Sequence, residues 1–137
     1  PAELGDRMGD LSGINNTGAT SFVQHAAAVA IREGEDFVAE GVERCRRARD
    51  LVHQRLGGME RINLAAPKAA FYAFPQIVGL KDDLEFAKQL VREHRVGLAP
   101  GSAFGPGNEG YLRLCFAKSE EQLSAAMDRI EAGLKTL

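Results

Sequence analysis

Apolar residues recur along this chain in two rhythms. From Glu35 to Leu56, Val38, Val42, Cys45, Ala48, Val52 and Leu56 return every three to four residues, the spacing of one stripe on a long helix. Acids crowd the first half of that stretch (Glu35, Asp36, Glu40, Glu43) and arginines the second (Arg44, Arg46, Arg47, Arg49, Arg55), an order that complements the helix dipole. Gly57 and Gly58 stop it. Upstream, Ser21 to Arg32 is Ala-rich and apolar on nearly every side, with Ser21 and Gln24 spaced as a capping box and Gly34 as its end. A helix of that kind expects neighbours all round. Residues 1–19 have a weak pattern and many turn-formers, so an irregular segment is expected, with one short helical stretch near Glu3 to Leu11.

After Gly58 the period shortens. Arg61 to Leu64 and Ala69 to Phe74 read as strands, the second ended by Pro75. Asp82 or Asp83 is placed to cap a helix running to about His94, with Phe86, Ala87, Leu90 and Val91 inward. Gly97 to Ala99 reads as a short strand, Pro100 to Gly110 as a Gly/Pro-rich loop, and Tyr111 to Ala117 as the best-patterned strand in the chain. Ser119 and Gln122 then open a last helix that buries Leu123, Met127, Ile130 and Leu134. Helices this amphipathic need a sheet to cover. The expected fold is therefore α/β of an α+β kind: a small mixed sheet with helices packed mainly on one face.

The 137 residues carry 17 basic and 19 acidic side chains, a net charge of −2, which asks for neither nucleic acid nor an anionic membrane. No apolar run is long enough to cross a bilayer. Cys45 and Cys115 lie far apart and form no CxxC pair, and they read as reduced cytoplasmic thiols in packed positions. The arginine cluster is balanced by acids one or two turns earlier and reads as a solvated helix face.

The chemical motifs are few. Gly105, Gly107 and Gly110 spell GxGxxG but lead into a strand rather than a helix, the wrong context for a dinucleotide. His25, His53 and His94 stand at no metal-ligand spacing, and Ser102 has no evident base beside it. Arg113 is different. Leu112, Leu114 and Phe116 must face the core, so Arg113 points the other way, with Tyr111 and Cys115. A guanidinium there is solvated, ion-paired within the fold, or placed to grip an anion. Its planar fork suits a carboxylate.

Three segments, taken in order, resemble class I and II aminotransferases. Pro67 to Pro75 (PKAAFYAFP) is similar to their PxGAFYxFP stretch, Gly97 to Gly105 (GLAPGSAFG) holds their PGSAFG loop, and Gly110 to Ala117 (GYLRLCFA) is similar to their GYLRLSFA strand. The opening Pro1 to Leu4 and Ser21 to Gln24 also resemble the segment just past the family's cofactor lysine. The likeness covers essentially the whole chain. It implies that residues 35–137 form a small C-terminal domain, preceded by a long interdomain helix, that closes a cleft against a larger domain holding pyridoxal 5'-phosphate, and that residues 1–34 link to that larger domain. It implies that Arg113 binds the substrate α-carboxylate, that Phe104 and Tyr72 wall the cleft, and that Asn15 to Ser21 lies near a homodimer interface. The substrates would be an amino acid and a 2-oxo acid.

Two departures stand out. Ala69 occupies a position that is usually Gly, which would be costly if that position needed a positive φ. None of Lys68, Lys81, Lys88, Lys118 and Lys135 matches the cofactor lysine, so no catalytic or cofactor-binding residue is expected in this chain, which reads as an inactive fragment of its parent enzyme. The alternative is a stand-alone amino-acid-binding regulatory or structural domain without catalysis.

Overall fold

The structure, a computed structural model, describes residues 2–137. Pro1, first residue of the opening segment that carried part of the resemblance, lies outside them. The chain divides into two compact units, one ending at Glu40 and the other running from Gly41 to Leu137.

The first unit is helical. Helix α1 spans Ala2–Asn15 and α2 spans Ser21–Glu33, while α3, Glu35–Gly57, begins in this unit and continues into the next. The irregular segment expected before Ala19 is thus largely helix. Leu4, Met8 and Leu11 supply a stripe at helical spacing, diluted in the sequence by Gly5, Gly9 and Gly13. The capping box expected at Ser21 does not form. Thr20 is the N-cap, without a side-chain cap bond, and the Gln24 side chain instead donates to the Ala19 carbonyl at 2.7 Å. No residue of α2 is buried; Phe22, Val23, Val29 and Ile31 are all exposed.

The second unit is organised by β5, Leu112–Cys115. Strand β2 (Tyr72–Ala73) pairs with one edge of it and β4 (Ala99–Pro100) with the other, both antiparallel. Strand β1 (Ile62–Asn63) pairs antiparallel with β3 (Gln76–Ile77) in a second small sheet. The strands are shorter than the apolar pattern suggested. Residues 69–71 form a turn rather than strand. Pro75 lacks an N–H and interrupts the β2 line, yet its carbonyl accepts from Leu112 N at 3.0 Å, and pairing resumes where Gln76 bridges Tyr111. That resumption after a proline is why β3 was not anticipated.

Alternation along β5 sets the layers. Leu112, Leu114 and Phe116 are buried, Arg113 is half-buried and Cys115 is exposed. The buried face meets Val52 and Leu56 of α3, Phe86 and Leu90 of α4 (Asp83–His94), and Leu123, Met127 and Ile130 of α5 (Glu120–Leu134). Each such large side chain contributes about 1.5–3 kcal/mol relative to exposure. Of the stripe on α3, only Ala48, Val52 and Leu56 are buried, while Val38 and Val42 are exposed. Two helix starts are capped as expected: Asp82 accepts from Glu85 N at 2.9 Å and Ser119 from Gln122 N at 3.3 Å.

Arg46, Arg47, Arg49 and Arg55 of α3 are engaged by acids. Arg46 forks onto Glu43 at 2.7 and 2.9 Å, while Arg47 reaches Glu120 at 3.0 Å and Arg55 reaches Asp128 at 2.6 Å, tying α3 to α5. The row is a paired, solvated helix face. No helix among the described residues is long and apolar enough to cross a membrane.

Candidate functional site

The sheet face opposite the core is built by register. Tyr72 lies across from Cys115 and Ala73 across from Leu114. The same register sets Phe74 opposite Arg113, and on the other edge Ala99 is the partner of Arg113. Side chains directly or diagonally across a ladder can touch, so Tyr72, Phe74, Tyr111 and Arg113 gather on one face.

Beyond β4 the chain enters a short 3-10 helix, Gly101–Phe104, which brings a further aromatic ring to that face. The guanidinium carbon of Arg113 lies 4.5 Å from the Tyr72 ring centroid and 4.3 Å from that of Phe104. Phe74 stacks on Tyr111 at 5.1 Å and meets Phe104 edge-on at 5.9 Å, backing the assembly. No ion pair among the described residues includes Arg113. Rings against the guanidinium attract the cation and displace water, but they cannot accept the hydrogen bonds of its N–H fork. The fork is left for an acceptor from outside, and a carboxylate matches it with two parallel bonds.

The 3-10 helix is tethered from several sides. Gly101 N donates to Tyr111 O at 2.8 Å. Asn108 Nδ2 donates to the carbonyls of Phe104 and Gly105, each at 3.2 Å. Asp83 Oδ2 accepts from Ser102 N at 2.6 Å. Gly105, Gly107 and Gly110 all have positive φ and shape the loop into β5, which explains the glycine spacing without a nucleotide.

The three residues singled out in the sequence, Arg113, Phe104 and Tyr72, are thus in direct contact. Phe74, Tyr111, Asp83 and Asn108 were not singled out. Parity with Tyr72 and with Arg113 was a sufficient signal for Phe74 and Tyr111. For Asp83 and Asn108, whose roles come from a long-range bond and a loop conformation, the sequence held no comparable signal.

A family model described as aminotransferase class I and II matches residues 1–130. The chain belongs to the class I and II aminotransferase family. It is 40% identical to aromatic-amino-acid aminotransferase 2 of Thermococcus litoralis, over 98% of this chain and 35% of that protein. It is 39% identical to an aspartate aminotransferase of Pyrococcus abyssi, over 98% of this chain and 35% of that one. Its structure superposes on the crystal structure of an aromatic aminotransferase from Pyrococcus horikoshii with a TM-score of 0.84 at 37% identity, covering 96% of this chain and 36% of the other. The chain therefore spans about a third of the length of these aminotransferases.

Members of the family in general work with pyridoxal phosphate. A lysine that carries this cofactor needs a desolvated, shaped site. Every lysine of this chain is exposed, and Lys88 and Lys135 are paired with Glu85 and Glu131 on their own helices. The residues present do not build that site. On the Arg113 face, Tyr72 and Phe104 are exposed and Arg113 is half-buried. A recess along the seam of α3 and α5 is lined by Leu51, Arg55, Met59 and Glu131 and does not include Arg113.

Proposed function

We propose that this chain is the substrate-closing part of a pyridoxal-phosphate-dependent aminotransferase, which moves an amino group between an amino acid and a 2-oxo acid. Arg113 binds the α-carboxylate of either substrate, and Phe104 and Tyr72 wall the cleft around it. The observation that carries this reading is the guanidinium, outside every ion pair among the described residues, held against two aromatic rings on the sheet face opposite the core. When bound in the complete enzyme, the cofactor supplies the electron sink for amino-group transfer. This chain holds the carboxylate, fixes the orientation of the substrate, and excludes water as the cleft closes.

Residues 35–137 serve as the small domain in this reading, and residues 1–34 as the link to the cofactor-binding domain. The exposed apolar residues Leu4, Met8 and Leu11 of α1 and Phe22 and Ile31 of α2 support a first unit covered, in the complete protein, by that large domain and by a second subunit of a cytoplasmic homodimer. The unpaired Cys45 and Cys115 fit a reducing compartment.

The test is Arg113→Gln in the complete enzyme. Hydrogen bonds to a charged group are worth about 1.5–3 kcal/mol, so KM for both the amino acid and the 2-oxo acid should rise on the order of tenfold to a hundredfold. An unchanged KM for both would overturn the reading.

A further inference from the structure

Asp83 is the charged side chain that the described residues bury, at 4% exposure. A buried carboxylate is costly unless its oxygens are satisfied, so its retention asks for a reason. Capping α4 is not that reason, because Asp82 already supplies the cap oxygen to Glu85 N. Asp83 turns inward instead, and its Oδ2 takes the Ser102 amide at 2.6 Å, a short charge-assisted bond. Ser102 sits in the 3-10 helix that ends at Phe104, and the Phe104 ring rests 4.3 Å from the guanidinium carbon of Arg113. The first turn of α4 is thereby connected to the anion-gripping face through one hydrogen bond and one ring.

We infer that Asp83 is a positioning residue for the carboxylate site: it anchors the 3-10 helix so that Phe104 is seated on Arg113 before substrate arrives. The inference rests on the reading of Arg113 as the carboxylate anchor. The remaining tethers of this helix run to Tyr111, just before β5, and to its own loop, through Gly101 N to Tyr111 O and through Asn108 to Phe104 O. Asp83 alone among these ties it to the helical layer and resists its lifting off the sheet.

The experiment compares Asp83→Ala with Asp83→Asn, whose side-chain oxygen can still accept from Ser102 N. In the nitrogen-15-labelled chain, the Arg113 Nε–H resonance reports the ring currents of Tyr72 and Phe104, and Phe104→Leu supplies the position it takes when one ring is gone. Asp83→Ala should shift this resonance toward the Phe104→Leu position, while Asp83→Asn stays near the native one. In the complete enzyme loaded with pyridoxal phosphate, Asp83→Ala should raise KM for the amino acid by about two- to fivefold, no more than Phe104→Ala, with kcat changed less than about twofold, the pattern of lost ground-state binding, and Asp83→Asn should restore most of it. A folded Asp83→Ala chain with a native Arg113 resonance overturns the inference. Should Asp83→Ala fail to fold, Ser102→Pro removes the donor and leaves the carboxylate, and a native Arg113 resonance in that variant overturns it equally. If Arg113→Gln raises KM while the resonance and the KM of Asp83→Ala are both native, the Asp83 inference alone fails. If Arg113→Gln leaves KM unchanged, the carboxylate reading fails, and the role of Asp83 toward substrate fails with it.

Discussion

The ring of Phe104 lies 4.3 Å from the guanidinium carbon of Arg113, although the two residues arrive on different elements, a 3-10 helix and the strand β5. Tyr72, on β2, approaches the same carbon at 4.5 Å. An arginine side chain free in solvent samples many rotamers. One held against two rings has been restricted before any ligand arrives, so less order remains to be imposed on binding. On the proposed carboxylate role of Arg113, the aromatic residues act on affinity through this restriction, without accepting a hydrogen bond from the ligand.

This makes the two rings testable separately from the arginine. Immobilising a rotamer-rich side chain costs about 0.5–1.5 kcal/mol, so Phe104→Ala should weaken carboxylate binding by about two- to tenfold, well short of the loss expected for Arg113→Gln. Tyr72→Ala should behave like Phe104→Ala. Tyr72→Phe keeps the ring face and removes a hydroxyl that makes no hydrogen bond among the described residues, so its affinity should stay within about twofold of the native value. Titration of the complete enzyme with amino acid measures all three. A large loss in Tyr72→Phe would show that the hydroxyl, not the ring, is what matters.

Much of this site was legible in the sequence because it rests on parity. Alternation in Tyr111 to Ala117 placed Leu112, Leu114 and Phe116 inward and Arg113 outward, as the structure has them. The resemblance then named Phe104 and Tyr72. The helices α3, α4 and α5 were legible from spacing and caps, and Asp82 and Ser119 both hold the amides expected of them. What escaped was set by contacts outside any local pattern. The stripe on α3 runs on through Val38 and Val42, and nothing in its period says where burial stops. The strand β2 is two residues long because Pro75 and the turn at residues 69–71 cut the ladder, so propensity over a longer window overstated it and missed β3 beyond the proline. The inward turn of Asp83 depends on a partner 19 positions away.

The departure from family pattern at Ala69 turns out to carry no backbone strain, because the positive φ falls on the next residue, Ala70, at 58°. Arg95, at the C-cap of α4, has the same φ of 58°. Residues with a Cβ are disfavoured in this region, and glycine is not. The contacts of Arg95 at this cap are made by its backbone: its N–H bonds Leu90 O, and its carbonyl accepts from Arg129 at 3.3 Å. Arg95→Gly keeps both and should stabilise the chain by about 0.5–1 kcal/mol in urea unfolding, and Ala70→Gly should gain a similar amount. Ala69→Gly, lacking the strain, should gain nothing. A stabilisation by Ala69→Gly as large as that of Ala70→Gly would contradict the assignment.

Gly101 is required for a different reason, the absence of space. A Cβ built there collides with Asn108 O and falls 2.7 Å from Tyr111 Cβ and 2.8 Å from Tyr111 O, and backbone atoms cannot swing aside. Gly101→Ala must therefore push the 3-10 helix away from β5, breaking the Gly101 N to Tyr111 O bond of 2.8 Å. Overpacking of this kind costs about 1–3 kcal/mol. The displacement should also carry Phe104 off Arg113. Urea denaturation and the Arg113 Nε–H resonance should both respond. Lost stability with a native resonance would mean that the loop relaxes elsewhere.

The ion pairs of α3 give a pH-dependent prediction whose sign follows from Glu43. Two hydrogen bonds from Arg46, at 2.7 and 2.9 Å, hold the Glu43 carboxyl below the ordinary glutamate value, and the charges of Arg46 and Arg47 add to this. The same pairing raises Arg46, first through its bonds to Glu43. Because the folded value of Glu43 lies below the unfolded one, its contribution to stability is present above the unfolded value and is lost as pH falls through the folded one. The window is therefore acidic, below the usual glutamate range, and neutral pH leaves the pair intact. Both side chains are exposed, so salt should screen the effect and the stability at stake is small. A carbon-13 titration of the Glu43 carboxyl should place its midpoint below that of an unpaired glutamate, and Arg46→Ala should move it upward toward the ordinary value. A midpoint indifferent to Arg46→Ala would show that the fork seen here does not persist in solution.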